Sequence, residues 1–255
     1  MKKALLIGVV LWLAATGAAW ASGQVDEPPP GQPPSTQTPE ETPDGGVALG
    51  VYLSAGKSLY AYDFARLNHT LGVGGAGTFA QYIDDWEFEL VFAATQLGFF
   101  GFGGGFWSQH AGGPRFDSTL DGWQVMVRWG MALADNDRLQ LYPDFGVGYA
   151  QHSLTMNGDL SGLDLGGLPS RGNVEVKQYG LMLEAGLRVD FYHGAPQQSA
   201  VAFLLANSLT LGWQGMPWHS RWHYGSHSID APNDLNSAFF VRFSIGFGLG
   251  VRGGG

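Results

Sequence analysis

The feature that most constrains this chain is a two-residue alternation between large apolar side chains and small, polar or charged ones. It recurs over several long segments. In an extended chain successive side chains point to opposite faces, so residues two apart share a face. Tyr179, Leu181, Leu183, Ala185, Leu187, Val189 and Phe191 therefore line one side of a strand, with Gln178, Met182, Glu184, Arg188 and Asp190 on the other. Phe239, Val241, Phe243, Ile245, Phe247, Leu249 and Val251 alternate in the same way with Phe240, Arg242, Ser244 and three glycines. Segments starting at Trp123 and Leu139 repeat the pattern. The period predicts strands over 47–55, 71–82, 86–96, 119–133, 138–153, 174–193, 199–213 and 237–252.

Composition says where such strands would sit. Only 14% of the residues are charged and 40 of 255 are glycine, against typical values near 25% charged and roughly 7% glycine. A water-exposed surface usually carries more charge. No stretch after residue 21 approaches the ~20 apolar residues of a spanning helix. A chain poor in charge, rich in aromatics and without such runs suits a membrane only as β-strands. There is no cysteine, which removes disulfides, thiolate metal sites, cysteine nucleophiles and a lipid-anchored N-terminus.

Lys2 and Lys3 precede an apolar run from Ala4 to Ala15, and Ala19-Trp20-Ala21 supplies the small residues of a cleavage site. Residues 1–21 thus read as a signal peptide with the mature chain beginning at Ser22. Residues 22–46 hold seven of the 13 prolines and five acidic residues with no basic one. Such a segment cannot bury enough apolar surface to offset its ordering entropy, so a disordered periplasmic linker is expected. Binding of a periplasmic partner through it is the sharper alternative. Removing Lys2 and Lys3 from the 13 basic residues leaves 11 against 22 acidic ones, a net −11. That balance, without a basic stripe, argues against nucleic-acid binding. The strands occupy 47–252, and 253–255 form a glycine tail.

Alternation alone does not say which face points inward, and a soluble lipocalin-like barrel would alternate too. Volume decides. The interior of an eight-stranded barrel is just wide enough for side chains to fill, and the large residues of eight strands would overfill it. The large face is therefore expected to meet lipid, with the small and polar face lining the lumen. Short connections near 82–86, 134–137 and 194–198, against long ones around 56–70, 97–118, 154–173 and 214–236, place both termini in the periplasm. The fold class is all-β: an antiparallel, up-and-down transmembrane barrel of eight strands. A ten-stranded variant would use 56–70 in a hairpin. In this pattern, over 47–252, the chain resembles the small Gram-negative outer-membrane barrels such as the OmpA transmembrane domain and OmpX-like proteins. The resemblance implies recognition of the last strand by the barrel-assembly machinery, although Val251 is followed by Arg252 and three glycines rather than closing on an aromatic residue.

The inward face gathers Glu87, Glu89, Asp144, Glu184 and Asp190 with Arg128, Arg188 and Arg242. Isolated charges in a narrow lumen are costly, so these are expected to pair into a structural plug, with a proton or ion path as the alternative. Trp123, Tyr149, Tyr179, Trp213 and Phe239 are placed at the outer rim as an aromatic girdle. His219, His223 and His227 could share a helix face and hold zinc or copper. Pro217, Gly225 and Pro232 oppose that helix, and no metal or other cofactor is assigned. His152-Ser153 sits at the height where some outer-membrane barrels modify lipid A. Adjacent strand residues point apart, however, and cannot form a nucleophile–base pair. Gly72–Gly77 lacks the strand–helix context of a dinucleotide loop, and Gly101–Gly105 reads as a flexible outer loop. The expected function is structural or surface-interacting, in contact with outer-membrane lipid and lipopolysaccharide and without catalysis. A small-solute or hydrophobic-compound channel is the main alternative, a lipid A-modifying enzyme the lesser one.

Overall fold

The computed structural model describes residues 47–94, 97–135, 139–163, 165, 167–193 and 201–252. The leader 1–21, the linker 22–46 and the tail 253–255 lie outside these residues, as does the connection 194–200. Eight antiparallel strands form a closed ring: β1 Val47–Tyr62, β2 Tyr82–Ala94, β3 Gly98–Ala111, β4 Phe116–Gly130, β5 Leu139–Asp159, β6 Arg171–His193, β7 Val201–His219 and β8 Ser237–Arg252. Each pairs with its chain neighbour, and β1 pairs with β8 from Val47↔Arg252 to Tyr62↔Ala238. Closure leaves no unpaired edge, which is what a sheet in hydrocarbon requires.

Several sequence assignments change. The strand expected over 71–82 does not form, because Ala65–Gly74 is a helix, α1. Its buried residues Leu67, Leu71 and Gly74 recur at helical spacing, and Gly75 ends it at φ 98°, a left-handed conformation open mainly to glycine. The ten-stranded variant goes with it, since 56–62 continues β1. Conversely, Gly101–Gly105 is the middle of β3, not a loop. A Cβ on Gly101 would stand 2.6 Å from Glu89 Oε1, one on Gly103 3.0 Å from Arg128 Nη1, and one on Gly105 2.5 Å from Asp85 Oδ2. The glycines of β3 leave the volume that the lumen's charged side chains occupy. The short connection consequently falls at 95–97 rather than 82–86, and β3 and β4 are joined by the tight segment 112–115 instead of a long loop.

The strands also outrun their expected ends. About 9–11 residues cross a bilayer, whereas β5 has 21 and β6 has 23. Two zones result. On the side of the termini, outward residues are apolar and exposed, as with Val125, Trp129, Phe145, Leu187, Phe203 and Phe247. On the far side the chemistry reverses. Asp117, Thr119 and Asp121 of β4, Gln151 to Asn157 of β5 and Asn173 to Lys177 of β6 present polar residues outward. Leu120, Leu154, Met156, Val174 and Val176 are buried inside. There they join Leu67, Leu71 and Phe79 beneath α1, Trp222 and Ile229 from a hairpin of Trp222–Tyr224 with His227–Ile229, and Leu235 from a 3-10 turn. This apolar cluster caps the barrel mouth. Asn68 clamps the loop by exchanging two hydrogen bonds with the Phe79 backbone, and Asp234 accepts the Leu67 N–H at the first turn of α1.

Candidate functional site

Between the cap and a smaller apolar cluster near the termini (Tyr52, Val91, Phe99, Tyr142 and Leu204 among it) lies a charged layer. All eight residues assigned to the lumen from sequence are in it and buried. β2 supplies Glu87 and Glu89, β4 Arg128, β5 Asp144, β6 Glu184, Arg188 and Asp190, and β8 Arg242. Strand alternation sets them on one face, which barrel closure turns inward, and the curvature then makes distant strands converge.

Arg128 is the hub. Its Nε donates to Glu184 Oε1 at 3.0 Å and its Nη2 to Glu87 Oε2 at 3.0 Å, while Nη1 stands 3.7 Å from Glu89 Oε1. Arg242 grips Glu184 with two parallel hydrogen bonds of 2.9 and 2.8 Å, its Nε lies 2.7 Å from Glu87 Oε2, and its Nη1 lies 3.8 Å from Asp144 Oδ2. A guanidinium fork matched to a carboxylate in this way is among the stronger polar contacts available to a buried site. Arg188 bridges downward, donating to Glu89 at 2.9 Å and Asp190 at 2.7 Å, and lies 4.4 Å above the Phe99 ring.

Sequence reading missed several members of this layer. Asp85 precedes Glu87 and Glu89 at the same two-residue spacing and is fully buried; it fell just outside the strand drawn from residue 86. Tyr60 and Ser58 both donate to Glu87, Gln124 donates to the Tyr60 hydroxyl at 3.0 Å, and Tyr52 and Tyr192 donate to Asp190 at 3.0 and 3.1 Å. Among the described residues the layer thus holds six carboxyl groups, from Asp85, Glu87, Glu89, Asp144, Glu184 and Asp190, against three guanidiniums. The surplus shows in unfilled acceptors: Asp85 Oδ1, Glu89 Oε1 and both oxygens of Asp144 receive no hydrogen bond.

The five aromatics assigned to a girdle are all exposed on the outer face. Trp213 pairs with Phe239 in register, and the Trp123 and Tyr149 rings lie 5.8 Å apart. Trp86 and Phe106, which were not assigned, continue the row, because Trp86 faces Phe106 and Phe106 faces Trp123 across β2, β3 and β4. Phe106 could not be placed while β3 was read as a loop.

The remaining candidates are separated. His152 is buried under the Trp107 ring at 5.6 Å, whereas Ser153 faces the other way and donates to Glu175 at 2.6 Å. His219 sits beside Gln178 at 3.2 Å, His223 stacks on Tyr179 at 5.8 Å, and His227 pairs with Tyr224 across the hairpin. No group of three His, Cys, Asp or Glu side chains positioned to hold a metal occurs among the described residues. At the outer end, hydrogen bonds from Ser161 and Arg115 hold the exposed Asp159 carboxyl well below the usual carboxylate range, tying β5 to the 160–170 loop.

No family model matches the chain, and neither does any curated protein. Among solved structures it is similar to Ail, the attachment invasion locus protein of Yersinia pestis, in complex with the heparin analogue sucrose octasulfate. The TM-score is 0.38 at 11% identity, over 82% of this chain and 99% of that one. It is similar also to the outer membrane protein OprG from Pseudomonas aeruginosa, with TM-score 0.33, 9% identity and coverage of 83% and 99%. The transport unit of the autotransporter AIDA-I from Escherichia coli gives TM-score 0.29 and 13% identity, covering 83% and 91%.

Proposed function

We propose that this chain is a non-conducting barrel of a Gram-negative outer membrane, with a structural or surface-interaction role carried by its capped outer end. The observation that carries the reading is the buried charged layer, in which Arg128 joins carboxylates from β2 and β6 across the lumen. Side chains bound to one another from wall to wall leave the axis filled rather than open. The outward apolar belt supports the membrane location, since exposed rings and branched aliphatics around a whole barrel are costly in water and favourable in lipid. The role assigned is not catalytic: His152 and Ser153 face opposite sides of the wall. The test is conductance of the refolded chain in planar bilayers. The expected result is a flat baseline, and reproducible open-channel steps would replace this reading with the channel one.

A further inference from the structure

The outer face carries one feature that neither the lumen nor the cap uses. Where the apolar belt ends, β1 to β5 frame a surface groove of about 540 Å³. Its lower edge is the row Trp86, Phe106, Trp123, whose rings stand out from the wall with 48%, 56% and 41% exposure. Its upper edge is a row of short polar side chains in register, Ser108 facing Asp121 and Asp121 facing Ser153. The step from wide rings to short side chains makes the groove. Lys57 closes one end. It lies 4.3 Å over the Trp86 ring and 3.8 Å from Asp84, and it is the single basic residue of the lining.

Exposed indole faces bordered by carboxylates and hydroxyls suit a sugar ring, whose C–H face packs on an aromatic while its hydroxyls donate to carboxylates. The height selects the source. The groove starts where the lipid-facing surface stops and the polar surface begins, which is the headgroup level of the outer leaflet. A soluble sugar would have no need of the apolar wall below, whereas an acylated one lays its chains along Val125 and Phe88 beneath these rings.

We infer that this groove binds the sugar headgroup of an outer-leaflet glycolipid, with Trp86 and Trp123 packing against the rings, Asp84 and Asp121 accepting hydroxyl or amide protons, and Lys57 facing an anionic substituent. The inference rests on the outer-membrane reading but not on a closed lumen, so conductance and lipid binding can fail independently.

The test is native mass spectrometry of the full chain refolded in detergent with monophosphoryl lipid A, or with phosphatidylethanolamine of matched acyl length. The expected result is one lipid A retained per barrel, at an occupancy about tenfold above that of the phospholipid, a difference of roughly one good contact surface. Trp86→Leu with Trp123→Leu, and separately Asp121→Asn, should each lower retention of lipid A several-fold. Trp129→Leu, lower in the belt, should leave it unchanged. Deacylated headgroup added in excess should compete only weakly. Equal retention of the two lipids, or variants that bind like the parent, would overturn the inference, as would full competition by the soluble headgroup. Should the double tryptophan variant fail to fold, Asp121→Asn, which lies on the outer face and outside the lumen, decides the matter.

Discussion

The two halves of this barrel are built from the same strands yet obey opposite solvents. Along β5, Phe145, Val147 and Tyr149 point outward while Asp144 is buried; ten residues on, Leu154 and Met156 are buried while Ser153 and Thr155 point outward. The backbone pairing runs on unbroken through this reversal, from Leu139↔Phe191 to Asp159↔Arg171. Nothing in the hydrogen-bonded ladder marks the boundary. It is marked by what lies outside, lipid below and water above, and side-chain chemistry inverts to match. The lower half is held by polar contacts inside an apolar sleeve, the upper half by an ordinary apolar core inside a polar sleeve.

That comparison can be broken from either side. Arg128→Met should cause the largest loss, about 4 kcal/mol, because it removes the one cation shared by Glu87, Glu184 and Glu89 in a buried site and leaves Arg242 and Arg188 alone to offset them. The check is urea unfolding in detergent, followed by the shift between folded and heat-unfolded bands on gels. If the variant were as stable as the parent, the charged layer would not be what holds the lower half. In the upper half, Leu154→Ala should cost about 3 kcal/mol by opening a cavity in a packed core. Its signature should differ, with faster proteolysis of the cap while the lower barrel stays folded. A paired substitution sharpens the boundary itself. Val125→Arg, outward and in the belt, should cost about 2 kcal/mol in lipid, whereas Thr119→Arg, six residues earlier on the same face of β4, should stay within about 0.5 kcal/mol. Equal effects at the two positions would mean that the belt does not end at the aromatic row.

Much of the lower half was legible in the sequence for a plain reason. Lipid outside and a narrow lumen inside impose one rule on every residue: the two-residue period sets Glu184, Arg188 and Arg242 on one face, and the bulk of the opposite face directs them into the lumen, where they are buried. The same rule explains the misses. The expected end of β5 at 153 reflects a change of its apolar residues from odd to even positions there, which mimics the end of a strand. β3 reads as a loop in the sequence because Gly101, Gly103 and Gly105 carry no side chain to show alternation; their smallness is needed by Glu89, Arg128 and Asp85, residues on other strands. α1 falls across an expected connection (56–70) and an expected strand (71–82), because only Leu67, Leu71 and Gly74 carry its helical spacing, too few to outweigh the surrounding glycines. The groove at Trp86 and Trp123 was invisible for a related reason, since Phe106, its middle ring, stood in a segment with no assigned direction.

The wiring of the charged layer also bears on how the molecule comes together. Arg242 on the last strand reaches Glu184 on the sixth and Glu87 on the second, and Ser58 on the first, 184 positions away. None of these contacts exists in a hairpin or in a half-finished sheet. Such a sheet would keep the Arg188–Asp190 pair, which lies within one strand, but would leave Glu184 and Glu87 without Arg242, and uncompensated charge is costly in hydrocarbon. Closure of the β1–β8 seam is therefore what brings Arg242 to its carboxylates, and the last strand completes a charge balance that the earlier strands leave open.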